Sequence, residues 1–298
     1  MAEVTPTVSV VIASYNGATT ITNAIESALG TDGREQADEV IVIDDGSTDG
    51  TNYVVEQLCT KYPQIVLRTQ ENLGRCAARN YGASLALGEY VVFLDDDDLL
   101  SVDAIKTFKH ETSRTPYVGI IRLCVDYLGT PLVLRTPPTD LFDGPSIPGS
   151  FALRTSLFAH VGGYDVNLDY AENSDLLWRL HRLAIEGGGS QEVLSCGTVG
   201  VHHHHRHDVA TYYRTDRINA TRLLIDKHAD ALQERPALAA SLHGILAHDL
   251  TQIGETAPAF SYAWQSLRLR PAARSTARLG RVALHHAWSV MTPTSNAA

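Results

Sequence analysis

The sequence predicts an α/β fold with a Rossmann-like, mostly parallel central sheet and flanking helices, followed by a C-terminal all-helical extension. Three observations lead there. Between Val8 and Leu94, short β-branched apolar runs alternate with segments of helical periodicity. Three of those runs end in polar residues: Ser14-Tyr15-Asn16, Asp44-Asp45-Gly46-Ser47 and Asp95 to Asp98. From about Val209 onward strand-like runs are absent, and Pro236, Pro258 and Pro271 stand where a first helical turn tolerates proline.

Val8 to Ala13 is the first strand, and Ile21, Ala24, Ile25, Ala28 and Leu29 then recur at helical spacing up to Gly30. Glu39 to Asp44 is the second strand; Val54, Val55, Leu58 and Tyr62 mark one face of a second helix closed by Pro63. Ile65 to Leu67 is the third strand, Asn72-Leu73-Gly74 opens a helix reaching about Leu87, and Tyr90 to Leu94 is the fourth strand. Strands separated by helices of this length form βαβ units in a parallel sheet. Their polar ends therefore share the carboxyl edge, where open α/β sheets bind ligands. Further on, Val118 to Val125 and Pro131 to Leu134 flank Tyr127-Leu128-Gly129-Thr130 as in a hairpin, and Thr136 to Pro148 is a Pro-rich loop. Ser150 to Leu153 reads as a strand, Gly162-Gly163-Tyr164-Asp165 as a turn, Glu172 to Ala184 as a helix and Gly197 to Val201 as strand-like. Helices are expected over 209–232, 236–254, 256–268 and 272–290.

With 44% hydrophobic and 19% charged residues, the composition is that of an ordinary globular protein. A net charge of −10 argues against non-specific nucleic-acid binding. Cys59, Cys76, Cys124 and Cys196 form no CxxC pair, which fits reduced thiols and a cytoplasmic location. The first apolar run is too short for a signal-peptide core, and no apolar stretch is long enough to span a bilayer.

Four carboxylates directly after a buried strand are suited to a hard cation such as Mg²⁺, which prefers oxygen ligands; a solvated acidic turn is the plain alternative. Asp44 and Asp45 are placed to accept hydrogen bonds from a base or a ribose, whereas Ser47, Thr48 or Asp49 suffices to cap the following helix. Neither a Walker A lysine loop nor a GxGxxG turn is present, since Ala13-Ser14-Tyr15-Asn16-Gly17 follows the first strand. That counts against P-loop enzymes and dinucleotide-dependent dehydrogenases. Glu172, Asn173 and Asp175 open a helix; acids there suit the helix dipole, and they are also candidates for general-base work. In His202 to His205, alternate residues face opposite sides of a strand, so a few histidines at most meet one site, as metal ligands or phosphate contacts. A partly exposed polar loop is the alternative. Arg274, Arg278 and Arg281 recur at helical spacing, which suits a solvated face or an anionic membrane surface.

In this order, Val8 to Asn16, Asp44 to Asp49, Asn72-Leu73-Gly74 with Ala78-Arg79-Asn80, Gly88 to Asp98, Gly162 to Asp165 and the Glu172 to Leu180 helix resemble family 2 glycosyltransferases over about residues 6 to 215. The resemblance implies a GT-A fold, a nucleotide-diphosphate sugar donor (a UDP-sugar foremost), Mg²⁺ or Mn²⁺, a hydroxyl acceptor and inversion at the anomeric carbon. It divides the chain into a catalytic domain 1–208, with a donor half 1–100 and an acceptor half 101–208, and the helical extension 209–298. By position, Ala13, Ser14, Tyr15 and Asp45 would contact the nucleoside, and Asp95 the ribose. Arg79 would lie near the donor, and Asp96 in the middle of the DxD pattern Asp95-Asp96-Asp97. Asp97 would reach the metal and diphosphate, with Asp98 and His203 as further metal candidates. The chain departs from the family where Asn173 replaces the usual base aspartate. Glu172 is the favoured substitute, Asp175 the second, and a nucleotide-sugar-binding protein without transferase activity the alternative. Nucleotidyl transfer ranks lower, because no glycine-rich basic loop follows the first strand.

Overall fold

The computed structural model describes residues 6–30, 33, 35–115, 118–127, 147–168, 170–186, 192–203 and 214–291. Two compact units are present, Met1–Arg206 and His207–Ala298.

The first unit is built on β1 (Val8–Ser14), β2 (Glu39–Asp44), β3 (Ile65–Thr69) and β4 (Tyr90–Asp95), paired in parallel in the order β3-β2-β1-β4. β4 continues through antiparallel β7 (Phe151–Arg154) to β6 (Val118–Tyr127), β8 (Glu192–His203) and the short β5 (Leu99–Leu100), giving eight strands. Alternation along the central strands divides the core in two. Val8, Val10, Ile12, Val92 and Leu94 face α1 (Ile21–Leu29), α2 (Thr51–Lys61) and α4 (Ala104–Arg114). Val11, Ile41, Ile43, Val91 and Phe93 face α3 (Arg75–Leu85), α5 (Thr155–His160) and α6 (Glu172–Glu186). Because both faces are covered, these strands are apolar throughout, which is why they read as continuous runs. α3 lies tight on the sheet at Gly82, where an added Cβ would come 2.4 Å from Val11 Cγ1.

Some elements differ from expectation. The third helix stops at Leu85 rather than about Leu87, because Ala86 turns extended and the Leu87 and Gly88 amides donate to Glu39 Oε1. β6 pairs with β7 and β8; the proposed hairpin partner 131–134 lies outside the described residues, as does all of the Thr136 to Pro148 loop before residue 147. β5, α4 and α5 are additional to the elements the sequence pattern predicts. The helix expected over 209–232 is two: α7 (Arg214–Lys227) and α8 (Ala229–Gln233), separated where His228 leaves helical geometry at φ −115°. Residues 209–213 are outside the description.

The second unit continues with α9 (Pro236–Gln252), α10 (Thr256–Leu269) and α11 (Ala273–Met291). Ile218, Leu246, Ala247, Leu250, Ala259, Ala263 and Val282 form its core. Arg217 of α7 grips the buried Asp249 of α9 through both carboxylate oxygens. Among the described residues, no helix is long and apolar enough to cross a membrane.

Candidate functional site

The parallel register brings Ser14 level with Asp44 and Ala13 level with Asp95, so the three polar strand ends share one edge. Two loops there are zipped together. Ser47 Oγ accepts from the Asn16 amide at 2.9 Å, Asn16 Oδ1 from the Thr48 amide at 2.9 Å, and Asp49 Oδ2 from the Ala18 amide at 3.0 Å. Asn16 adopts φ +56°, a left-handed conformation that asparagine tolerates. Asp49 Oδ1 caps α2 by accepting from the Thr51 hydroxyl and amide; that hydroxyl is the main cause of the lowered Asp49 pKa. Asp44 accepts from the Ser47 amide at 3.0 Å, closing a turn on Gly46, where a Cβ would meet the Asn72 amide at 3.0 Å.

Asp45 holds the turn before α3. Its Oδ1 accepts from Gln70 Nε2 at 2.7 Å and the Leu73 amide at 2.9 Å, and its Oδ2 from the Gly74 amide at 2.9 Å. A carboxylate has about four acceptor positions, so a place at Oδ2 stays open to a ligand. Ser14 is buried, Ala13 partly so, and Tyr15 is exposed at the rim.

Adjacent carboxylates repel, and the Asp95–Asp98 turn gives several of them separate counterparts. The turn is closed by the Asp98 amide donating to the Asp95 carbonyl at 3.2 Å. Asp95 Oδ1 takes Arg79 Nη2 at 2.6 Å, and Asp96 Oδ2 takes the Ser14 hydroxyl at 2.5 Å. Asp96 thus ties the ends of β1 and β4 together, above a Gly17 whose Cβ would fall 2.2 Å from the same oxygen. Asp97 is half-buried. Asp98 is fully buried and meets His203 Nδ1 at 2.8 Å. That hydrogen bond is the main reason the His203 pKa is raised, against the opposing effect of burial. His202 points to the other side and meets Asp126 at 2.8 Å, the alternation expected in a strand. His204, His205 and His207 lie outside the described residues.

Arg79 joins this edge to α6. Its guanidinium is buried; Nη1 donates to Glu172 Oε1 at 2.7 Å, and the face lies 5.3 Å from the Tyr164 ring. Burial works against its charge, but Asp95 and Glu172 outweigh that and raise its pKa. The Asn173 amide nitrogen lies 3.4 Å from the same Glu172 oxygen, and its Oδ1 accepts from the Tyr164 hydroxyl at 2.8 Å. Burial pushes the Tyr164 pKa up, which keeps that hydroxyl a donor. Glu172 Oε2 has no hydrogen-bond partner among the described residues. Asp175 is fully buried and paired at 2.8 Å with Arg179, which also donates to the Val161 and Gly163 carbonyls. Asn80 completes the arrangement by exchanging two hydrogen bonds with the Tyr164 backbone. Ala78-Arg79-Asn80 is therefore a clamp that seats the Gly163–Tyr164 turn and the start of α6 against β4. Motif position alone does not specify these roles of Tyr164 and Asn80; the adjacent Gly162-Gly163 pair is the sequence signal for the turn.

Among the described residues, no three acidic, histidine or cysteine side chains are gathered to hold a metal by themselves. Asp97 and His203 could supply one oxygen and one nitrogen to a divalent cation whose shell is completed by substrate phosphates and water. A carboxylate on the other ring nitrogen, as Asp98 provides, is the usual way to orient a ligating histidine. The buried Asp98 is placed to orient His203, the second role open to it beside that of a ligand.

The model of glycosyl transferase family 2 matches residues 9–140. A cholesterol galactosyltransferase of Borreliella burgdorferi is 41% identical over 91 residues, 30% of this chain and 25% of that protein. A poly-beta-1,6-N-acetyl-D-glucosamine synthase of Staphylococcus aureus is 26% identical over 190 residues, 58% of this chain and 45% of that protein. The chain thus spans less than half the length of these relatives. The structure of S. aureus TarS 1–349 in complex with UDP is similar at a TM-score of 0.61 and 18% identity, covering 96% of this chain and 88% of that one. The TarS 1–349 complex with UDP-GlcNAc gives 0.57 at 17%, over 93% and 79%. At such identities the structural likeness speaks for the fold.

Proposed function

Because this chain carries a glycosyl transferase family 2 domain on a GT-A fold, we propose that it moves a sugar from a nucleotide-diphosphate sugar, a UDP-sugar foremost, to an acceptor hydroxyl with inversion. The observation that carries this reading is the Asp95–Arg79–Glu172 bridge, which sets a donor-side carboxylate and an acceptor-side carboxylate on one buried cation.

On the donor side, the open position on Asp45 Oδ2 accepts from the base, Tyr15 lines the rim, and Asp95 accepts from a ribose hydroxyl through the oxygen that Arg79 leaves free. A divalent cation held by Asp97 and His203, with Asp98 orienting the imidazole, would supply positive charge beside the diphosphate as it leaves. On the acceptor side, Glu172 is the base. Arg79 and Asn173 fix its Oε1, which leaves Oε2 to take the hydroxyl proton. The acceptor oxygen then bonds to the anomeric carbon as the bond to the diphosphate oxygen breaks on the opposite face. Asn173 stands in this scheme as a neutral neighbour that steadies Glu172, and Asp175 as part of the framework.

The test is a thermal-shift series with UDP-sugars and Mn²⁺, followed by an assay of UDP release. Stabilisation by at least one UDP-sugar and slow UDP release in water are expected. Failure of every nucleotide sugar both to stabilise and to turn over would overturn the reading. Glu172→Gln should keep the thermal shift and lose UDP release; full turnover in that variant would remove Glu172 as the base.

A further inference from the structure

The second unit carries a surface that its own packing does not use. α10 buries small side chains and leaves two of its aromatics outward. Ala259, Ala263 and Ser266 face inward, with Ser266 Oγ donating to the Ala240 carbonyl at 2.7 Å. Phe260 is 39% and Trp264 48% exposed. Ala257, Phe260, Trp264 and Arg268 fall on one face by helical spacing, so the two aromatics form an outward stripe ending in a cation. Tyr262 of the same helix packs against the core, so the outward stripe is additional to the core-facing side.

Charge is sorted in the same place. All 34 acidic residues lie at or before Glu255, and the five basic residues after it are Arg268, Arg270, Arg274, Arg278 and Arg281. Arg268, Arg270 and Arg274 are exposed around the short turn from α10 into α11, beside the half-exposed Leu269. Arg278 does not share their surface. It packs over Gly244, where a Cβ would overlap its guanidinium, so the three arginines grouped by sequence spacing are divided by the fold.

We propose that the α10 stripe and the basic turn together form a docking surface for an anionic phospholipid bilayer. Aromatic rings settle at headgroup depth, and arginines beside them add attraction to acidic lipid. The acidic remainder of the chain is repelled by such a surface, so this patch would also set the orientation of binding. A second copy is a poorer occupant, because pairing this patch with itself brings arginine against arginine, and neither α10 nor α11 carries an acidic residue to offset them. The proposal does not depend on the sugar-transfer reading.

The test is co-sedimentation of the full chain with vesicles of phosphatidylcholine alone and of phosphatidylcholine mixed with phosphatidylglycerol. Binding is expected to the mixed vesicles only and to weaken as NaCl rises. Arg268→Glu/Arg270→Glu should lower the partition coefficient about tenfold or more. Phe260→Ser/Trp264→Ser should lower it as well, with the urea midpoint unchanged, since neither ring belongs to the core. Equal binding to both vesicle types, binding indifferent to both variants, or self-association that Phe260→Ser/Trp264→Ser abolishes while vesicles bind nothing would each overturn the proposal.

Discussion

Arg79 and Glu172, 93 residues apart in sequence, meet at 2.7 Å inside the protein. The other end of the same guanidinium holds Asp95 at 2.6 Å. A single buried cation thus joins the strand that ends in the acidic run to the helix that carries the candidate base. Buried pairs seldom add much net stability, but removing one partner is costly because the other charge stays behind. Arg79→Met should therefore lower unfolding stability by about 3–5 kcal/mol. Arg79→Lys, which keeps the charge but not the forked geometry, should lose less stability and still lose turnover. Urea titration beside a donor-release assay separates the two effects. An Arg79→Met protein as stable as wild type would mean that the bridge does not persist in solution.

Asn173 gives the second prediction. Aspartate there would put a second carboxylate at the 3.4 Å position where the amide now faces Glu172 Oε1. Like charges so close cannot both ionise at the usual pH. Asn173→Asp should lower stability at neutral pH by about 1–3 kcal/mol, with part of the loss recovered in mild acid. Activity should not rise, because the added acid competes with Glu172 for Arg79. A gain in transfer would instead show that position 173 is where the base belongs.

Much of this site was legible in the sequence, for a physical reason. Strands buried on both faces are short, apolar and β-branched, so Val8 to Ser14, Glu39 to Asp44 and Tyr90 to Asp95 stand out, and parallel topology puts their ends together. What stayed hidden depends on pairings across long sequence distances. The partners of Asp45, Asp96 and Asp98 are 28, 82 and 105 residues away at the Leu73 amide, Ser14 and His203, and local spacing does not specify them. α4 was missed because its inward face mixes Ile105 and Phe108 with Lys109 and Thr112, which interrupts the apolar period. Lys109 is tolerated there because it reaches Asp38 at 3.0 Å.

His243 yields a pH prediction for the helical unit. It is buried on α9, stacked 5.7 Å from Tyr262, and its Nδ1 has no hydrogen-bond partner among the described residues. Burial lowers its pKa below the ordinary value of 6.5. The unfolded chain therefore takes up the proton more readily, so stability is greatest above the unfolded value and declines as pH falls below it. The opposite holds for His203: its raised pKa gives stability that is fully present below 6.5 and is lost as pH rises through the folded value. His243→Phe should flatten the fall in urea midpoint between about pH 7 and about pH 5. An identical pH slope in wild type and variant would show that His243 is not the group responsible.

Asp98 provides a way to examine the metal without altering any proposed ligand. Its carboxylate is fully buried and meets His203 Nδ1 at 2.8 Å. With Nδ1 held by Asp98, a metal would be bound through Nε2, and the partner carboxylate raises the basicity of the ring. Asp98→Asn keeps the size and a hydrogen-bonding oxygen but removes the charge. Mn²⁺ affinity, measured calorimetrically in the presence of UDP, should fall about 10- to 100-fold. His203→Ala should lower it at least as far. The Asp98→Asn substitution should leave UDP affinity in EDTA nearly unchanged, since the proposed nucleoside contacts are Asp45 and Asp95, not Asp98. If Mn²⁺ binds both variants as tightly as wild type, His203 is not a ligand, and the Asp98–His203 pair serves only to fasten β8 to the acidic turn.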